Sequence, residues 1–222
     1  MNKVLFGKDA RETLKAGVDI VFKAVAPTLG ASGKNAVYNK WSRVPIITND
    51  GVSIAREVEP EDLGIKQGAD LLKQVAERAN DEAGDGTTTS IILAHAIIEK
   101  GIEALEKNPK LSSMKLRREL KDALTKVVAS LKELSTPVKT LEELEQVATI
   151  SVEDPEIGKQ IAKAVYSAGE NGIVYVDESE KVGVEVEKVE GYQFPQGMIT
   201  PYLLTNPEKM ETTLIEPADM LS

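Results

Sequence analysis

The chain has 222 residues, 41% hydrophobic and 28% charged, which is typical of a soluble globular protein with one large or two small domains. A net charge of −9 argues against general binding to nucleic acid or to an anionic membrane surface. The absence of cysteine excludes disulfides and sulfur-bound zinc, and a single histidine argues against a histidine-based metal site. No apolar stretch approaches the length of a signal-peptide core or a membrane span, so we expect a cytoplasmic protein without a membrane partner.

Hydrophobic periodicity predicts that the first half of the chain is helical. Residues 9–26 and 62–83 each place their apolar side chains on one helical face. Residues 88–106 are apolar on nearly all sides, which predicts a buried central helix. A further amphipathic helix follows, with a predicted inner face made of Met114, Leu120, Leu124, Val127, Val128, Leu131 and Leu134.

Short strands are predicted in two places. In the first half, Ala36 to Lys40 and Ile46 to Thr48 flank a turn and indicate a two-stranded stretch. In the second half, 172–176 is rich in β-formers after an Asn-Gly turn, and an alternating pattern follows at Val182, Val184 and Val186.

A domain boundary is predicted where the sequence changes character after the fourth helix. Ser135, Thr136 and Pro137 end that helix, because proline cannot continue it. Two short helices are expected beyond the boundary, at 141–149 and 156–168.

The strongest motif is Gly84–Asp85–Gly86–Thr87–Thr88–Thr89, directly before the apolar helix. Glycines allow close approach of the backbone, and a helix N-terminus favours phosphate. The threonine hydroxyls add donors, and Asp85 supplies an oxygen ligand suited to Mg²⁺. The alternative is a tight turn with an N-cap residue.

Two other loops are weaker candidates. Residues 28–35 form a glycine-containing loop after the first helix, with a lysine that could meet an anion, but they do not match a P-loop and are alternatively only a loop. Asp50, in a Thr-Asn-Asp-Gly sequence, is a candidate carboxylate beside a metal or an attacking water, or alternatively a turn aspartate. His95 is interpreted as a packed core residue.

Read in order, these segments resemble the group I chaperonins of the GroEL type. The resemblance covers the chain to about residue 216, and its threonine-rich segment, correctly spaced from the other loops, is highly characteristic. The matching stretches are TLGASGKNAV (28–37), ITNDGVSIAREVE (47–59), ANDEAGDGTTTS (79–90), VATIS (147–151), NGIVYVDE (171–178), VEGYQF (189–194) and TPYLL (200–204).

The resemblance implies a multidomain fold. A mainly α-helical equatorial ATPase domain would occupy 1–134, and a mixed α/β intermediate segment would occupy 135–188. An α/β apical domain would begin at 189–222. Family members are more than twice as long, so the chain is expected to be the N-terminal part of a larger protein.

The resemblance also implies an ATP site with Mg²⁺ and a nearby K⁺. Asp85 would bind Mg²⁺, Asp50 would act catalytically near the γ-phosphate and the attacking water, and K⁺ would lie near Thr28 and Thr88. Asn49 stands where some members carry a lysine, and other members share the asparagine. The residues implied to line the nucleotide are Thr28, Leu29, Gly30, Ala31, Asn49, Asp85, Gly86, Thr87, Thr88 and Thr89.

The implied activity is ATP-dependent folding of unfolded client polypeptides inside a homo-oligomeric ring, seven-membered for the full-length protein, with a GroES-type co-chaperonin. Clients would bind Met198, Thr200, Tyr202 and Leu203, although these residues are equally compatible with core packing. An alternative from another class is a truncated, non-hydrolysing relative that acts as a binding or scaffold module. An unrelated small phosphotransferase is weaker, because no acceptor site or general base is evident.

Overall fold

A computed structural model of the chain describes residues 4–30, 32–39, 44–152, 154–169, 172–176, 183–188, 200, 202, 204–206 and 212. The chain divides into two compact units, residues 1–137 and 138–222. The assignment of equatorial, intermediate and apical domains within them stays a prediction. Within the described ranges, no helix is both long enough and apolar enough to cross a membrane.

The described residues form seven α-helices and one two-stranded sheet, so the predicted helical character is confirmed. A short 3-10 turn, Ala26–Thr28, extends the first helix past Pro27. In chain order the elements are α1 (Gly7–Val25), β1 (Ala36–Tyr38), β2 (Ile46–Thr48), α2 (Gly51–Glu57), α3 (Leu63–Ala83), α4 (Thr87–Lys107), α5 (Ser113–Leu134), α6 (Leu141–Val152) and α7 (Pro155–Ala168).

Helices α1 and α3 cross in direct backbone contact in the first unit. A Cβ atom on Gly17 of α1 would lie 1.9 Å from the carbonyl oxygen of Ile65. A Cβ atom on Gly68 of α3 would lie 2.0 Å from the carbonyl oxygen of Leu14. Neither separation is possible for a real side chain, so the close crossing requires glycine at both positions.

The core of the first unit lies between α1, α2, α3 and α4. Small and β-branched residues dominate it, because the close helix crossing leaves little room for larger side chains. The buried apolar residues are Val18, Val21, Val25, Val52, Ile54, Ala55, Ala69, Leu72, Ala76 and Ile91.

The prediction that α4 is buried on nearly all sides is wrong. Only one side of α4 faces the core, formed by the buried Thr87, Ile91 and His95 at successive turns and by the partly buried Ala94 and Ile98 beside them. Leu93 and Ile97 point away from it and are 58% and 54% exposed. An all-round apolar sequence permits burial on every face, but burial also requires a packing partner on each side.

The predicted inner face of α5 is also not buried. The apolar residues of its predicted inner face are between 41% and 80% exposed, and no residue of α5 is buried. Helical periodicity places these side chains on one face, as predicted. In the part of the chain that the structure describes, α4 approaches α5 only where a Cβ atom on Gly101 would lie 3.7 Å from Leu116 Cδ2, and the rest of that face stays exposed.

The predicted two-stranded stretch is confirmed as an antiparallel pair. Ala36 lies opposite Thr48, and Tyr38 lies opposite Ile46. Helix α2 begins at Gly51, with only Asn49 and Asp50 between it and β2, where the sequence predicted a strand end and a turn and no helix. The hairpin and α2 together direct Asp50 and Gly51 towards the N-terminus of α4.

An ion pair ties the end of α2 to α3. The buried Lys73 donates to Glu59 Oε1 at 2.8 Å and to the carbonyl oxygen of Arg56 at 3.2 Å. Hydrogen bonds from Lys66 and then from Lys73 lower the pKa of Glu59 to about 2. Because the pKa is lowered, this tie is present at neutral pH and is lost only as the pH falls towards that value.

Helices α6 and α7 pack as a pair in the second unit. A Cβ atom on the buried Gly158 would lie 2.6 Å from Thr149 Oγ1, so the two helices touch at this glycine. Asp154 caps α7 by accepting hydrogen bonds from the amides of Glu156 and Ile157 at 2.8 and 3.1 Å.

The strands predicted in the second half are not formed. Residues 172–176 and 184–188 have neither helical nor strand structure. Val182 lies outside the described residues. A strand requires hydrogen bonds to a neighbouring strand, and the described residues of this unit supply no paired strand for either segment.

Candidate nucleotide-binding site

The N-terminus of α4 is the centre of the candidate site. Gly84 ends α3 at φ +67° and Gly86 precedes α4 at φ +76°, so the short link between the helices is left-handed at both glycines. Gly86 is the N-cap of α4 and supplies no side-chain acceptor to the first-turn amides. Free amides and the positive end of the helix dipole favour an anion at this position.

The side chains of this segment differ in exposure. Thr87 is buried, Thr88 is half-buried, and Asp85 and Thr89 are exposed. Asp85 Oδ1 accepts a hydrogen bond from the Gly86 amide at 2.5 Å. This bond holds the carboxylate beside the helix start and leaves its other oxygen open to solvent.

The loop after α1 reaches the α4 N-terminus through Thr28. The buried Thr28 hydroxyl donates to the carbonyl oxygen of Val25 at 2.9 Å. The same oxygen lies 3.3 Å from Thr88 Oγ1. Because the Thr28 hydrogen is already committed to Val25, the Thr88 hydroxyl donates the second bond.

The remainder of this loop closes on itself. The Gly33 amide donates to the carbonyl oxygen of Gly30 at 2.8 Å, and the Lys34 amide donates to Pro27 at 2.8 Å. A Cβ atom on Gly33 would lie 2.2 Å from the carbonyl oxygen of Thr28, so the turn requires glycine. Leu29 and Gly30 are exposed at its tip.

The start of α2 is the third component, and it touches α4 through Gly51. A Cβ atom on the buried Gly51 would lie 2.4 Å from Thr88 Oγ1 and 3.1 Å from the Thr88 amide nitrogen. The N-termini of α2 and α4 therefore meet at van der Waals distance. Thr88 contacts both of the other segments and is the centre of the arrangement.

Asp50 is the N-cap of α2. Its carboxylate accepts from the Val52 amide at 3.3 Å and the Ser53 amide at 3.0 Å, and its own amide donates to Thr48 Oγ1 at 3.1 Å. The aspartate thus has a structural role as a helix cap. Each carboxylate oxygen keeps a lone pair for a further donor, so capping and a chemical role are compatible.

The residues of the candidate site suit a metal ion that is bound together with a phosphate ligand. They are less suited to a metal ion that is held by protein side chains alone. Among the described residues, no three acidic or histidine side chains converge as a metal cluster would require. Mg²⁺ in nucleotide sites takes only one or two protein carboxylates and completes its shell with phosphate oxygens and water. Asp85, exposed beside the α4 amides, matches that requirement.

Not every residue expected in a site can be located. Ala31, Met198 and Leu203 lie outside the described residues. Asn49 is exposed between β2 and α2. Tyr202 is 97% exposed, and its amide donates to Thr200 Oγ1 at 3.4 Å. These two described residues do not by themselves form a binding surface for a polypeptide.

Sequence reasoning missed what holds the three loops together. It singled out Gly30, Asp50 and the threonines, but it gave no role to Gly33 or Gly51, whose missing side chains permit the close contacts. An available signal was the Asp-Gly pair before an apolar helical pattern, which is a usual helix start.

The fold and site define a mainly helical protein in which three loops gather around one helix N-terminus. A model of the TCP-1/cpn60 chaperonin family matches residues 21–218. The chain therefore belongs to the TCP-1/cpn60 chaperonin family. The resemblance to the N-terminal part of a chaperonin is confirmed.

One similar solved structure is the chaperonin gp146 from the bacteriophage EL 2 (Pseudomonas aeruginosa), crystallised in the presence of ATP-BeFx. It has a TM-score of 0.60 and 26% sequence identity to this chain. The match covers 82% of this chain and 32% of gp146. The chain thus spans about a third of the length of that chaperonin.

Proposed function

We propose that this chain supplies half of an ATP site to a chaperonin, in which ATP hydrolysis drives the folding of unfolded polypeptides. The observation that carries the proposal is the meeting of three loops at Thr88, which bonds to Thr28 and lies against Gly51. The presence of ATP-BeFx with the similar chaperonin gp146 supports a nucleotide as the ligand.

Each segment would have its own task at the nucleotide. The uncapped amides of α4 and the hydroxyls of Thr87 to Thr89 would bind phosphate oxygens. Asp85 would hold Mg²⁺, which supplies charge neutralisation at the phosphates when bound. On the other side, residues 28–31 and Asn49 would line the nucleotide.

The attacking water and a K⁺ ion complete the proposed site. Asp50 would lie near the terminal phosphate and orient the attacking water through its free lone pairs. K⁺ would lie beside the phosphates near Thr28 and Thr88, whose hydroxyl oxygens are 3.3 Å apart.

For the whole protein we propose the activity of a chaperonin subunit in the cytoplasm. Nucleotide binding would switch rigid domains between holding and releasing a client polypeptide. A homo-oligomeric ring, seven-membered, would make that response cooperative. The proposed partners are unfolded polypeptides and a GroES-type co-chaperonin.

Amide chemical shifts measured by NMR test the site directly. Adding Mg·ADP is expected to shift the amides of residues 28–30, 49–51 and 85–89, because all three segments contact the phosphates or their metal. AMP is the matched control, since it lacks the β-phosphate, and should shift these amides much less. Changes confined to α6 and α7, or equal changes with both nucleotides, would refute the proposed site.

Substitution of Asp50 separates its two roles. Asp50→Ala removes the cap of α2 and is expected to lower the free energy of unfolding by about 1 kcal/mol, whereas Asp50→Asn preserves the cap and the stability. Both variants should slow ATP hydrolysis more than they weaken nucleotide binding, because both lack the carboxylate. Urea unfolding, affinity and turnover are measured together in an assembled ring that contains this chain. Normal turnover in Asp50→Asn would leave the aspartate only its capping role.

A further inference from the structure

His95 is the single histidine of the chain, and it is buried in α4 away from the proposed nucleotide contacts. Its Nε2 atom lies 2.9 Å from Asp19 Oδ1 in α1. Its ring stacks on Phe22, with the ring centroids 3.8 Å apart and the planes 13° from parallel. The expectation that His95 is a packed core residue is confirmed, but the charged partner on another helix was not foreseen.

Asp19 is held from both sides. Lys15 Nζ lies 2.9 and 2.6 Å from its two carboxylate oxygens, and the same ammonium lies 3.9 Å from Glu99 Oε1 of α4. Burial alone would raise the pKa of Asp19, but the hydrogen bonds from Lys15 and His95 outweigh it and lower that pKa. The link between α1 and α4 therefore contains a charged carboxylate at neutral pH.

Helix α4 meets the 3-10 turn that extends α1 at the candidate site, through Thr28 and Thr88. His95 follows Thr88 by seven residues, which places the two contacts about 10 Å apart along α4. Thr28, in the 3-10 turn that extends α1, follows Asp19 in the chain, so α1 and α4 run antiparallel at this interface. Two contacts at different levels fix both the sliding and the rotation of α4 on α1, which one contact cannot do.

We propose that His95 is a positioning residue for nucleotide binding. Through Asp19 it holds α4 against α1, so that Thr88 and the first amides of α4 stay in register with the loop that contains Thr28. The inference rests on the proposed nucleotide site. His95 positions the residues of that site but does not itself contact the nucleotide.

If His95 served only to pack the core, substitutions at this position would have different effects from those expected if it positions α4. A leucine of similar size at position 95 would fill the same space and avoid burying a polar ring. Asp19 would keep Lys15 as its partner in such a variant. A glutamine would instead retain a donor able to reach Asp19. His95→Leu and His95→Gln therefore separate packing from the hydrogen bond.

The experiment measures each folded variant in two ways, by the amide shifts of Thr28 and Thr88 without nucleotide and by the Kd for Mg·ADP. His95→Leu is expected to move both shifts and to weaken binding about tenfold, the scale of one lost charge-assisted hydrogen bond. His95→Gln should stay close to the wild type in both readouts. Glu103→Gln is the matched control, because it breaks ion pairs within α4 that do not involve α1.

Unchanged affinity in His95→Leu overturns the inference, and so does a glutamine variant that behaves like the leucine variant. Urea unfolding shows whether His95→Leu is as stable as the wild type, so that loss of binding cannot come from loss of folding. If an assembled ring that contains the wild-type chain fails to bind Mg·ADP, the proposed function fails instead. The shifts of Thr28 and Thr88 then still decide whether His95 positions α4.

Discussion

Gly68→Ala is expected to lower the free energy of unfolding by about 3 kcal/mol, at the upper end of the usual cost of overpacking a core. The new Cβ atom would lie 2.0 Å from the carbonyl oxygen of Leu14, and a backbone carbonyl cannot rotate aside as a side chain could. Helices α1 and α3 would have to separate, which loosens the packing of Val18 and Ala69. Urea unfolding followed by circular dichroism measures the loss.

Gly101→Ala is the matched control for this substitution. Gly101 also lies inside a helix, but a Cβ atom there would meet only Leu116 Cδ2, at 3.7 Å. Alanine is expected to stabilise α4 by about 0.5–1 kcal/mol, because glycine is the poorer helix former. If both variants were equally stable, the close crossing of α1 and α3 would not be a strict requirement of the fold.

Asp85→Ala is expected to weaken Mg·ATP binding by roughly 10- to 100-fold or more. That range is the usual cost of losing a side chain that only supports a metal ligand, and Asp85 is proposed to bind the metal directly. The variant removes the exposed carboxylate beside the α4 amides, which is the proposed protein ligand of Mg²⁺. The folded structure should persist, since within the described residues the Asp85 side chain bonds to the neighbouring Gly86 amide and to no other group. Titration calorimetry with and without EDTA measures the effect.

Asp81→Ala is the control for charge. Asp81 is exposed near the end of α3 and lies outside the candidate site, so its removal changes the net charge by the same amount without touching the metal. Chelation of Mg²⁺ should weaken ATP binding to the wild type and to this control, but have little effect on Asp85→Ala. Normal Mg·ATP affinity in Asp85→Ala would show that the metal assignment is in error.

Much of the secondary structure was predictable because it depends on local chemistry. The apolar period through Val18, Val21 and Val25 defined α1, and the Gly84–Gly86 break separated α3 from α4. Helix α2 was missed because seven residues are too few for a clear period. The strands expected after Asn171 were not formed, since strand structure depends on a partner as well as on β-forming residues.

The candidate site was predictable as three separate segments. Loop chemistry pointed to the hydroxyls and to Asp85, and the resemblance gave their order. What the sequence did not reveal is the contact among them, in which Thr88 bonds to Thr28 and lies against Gly51. Those residues are far apart in sequence, so no local pattern encodes their distance.

The sequence by itself determined which residues form helices, where the glycine loops lie and which family the chain resembles, because periodicity, turn chemistry and motif order are written along the chain. Only the tertiary structure decided which faces are buried. It left one stripe of α4 in the core and the apolar face of α5 exposed. It also paired His95 with Asp19, since burial and pairing depend on what the fold brings alongside a residue.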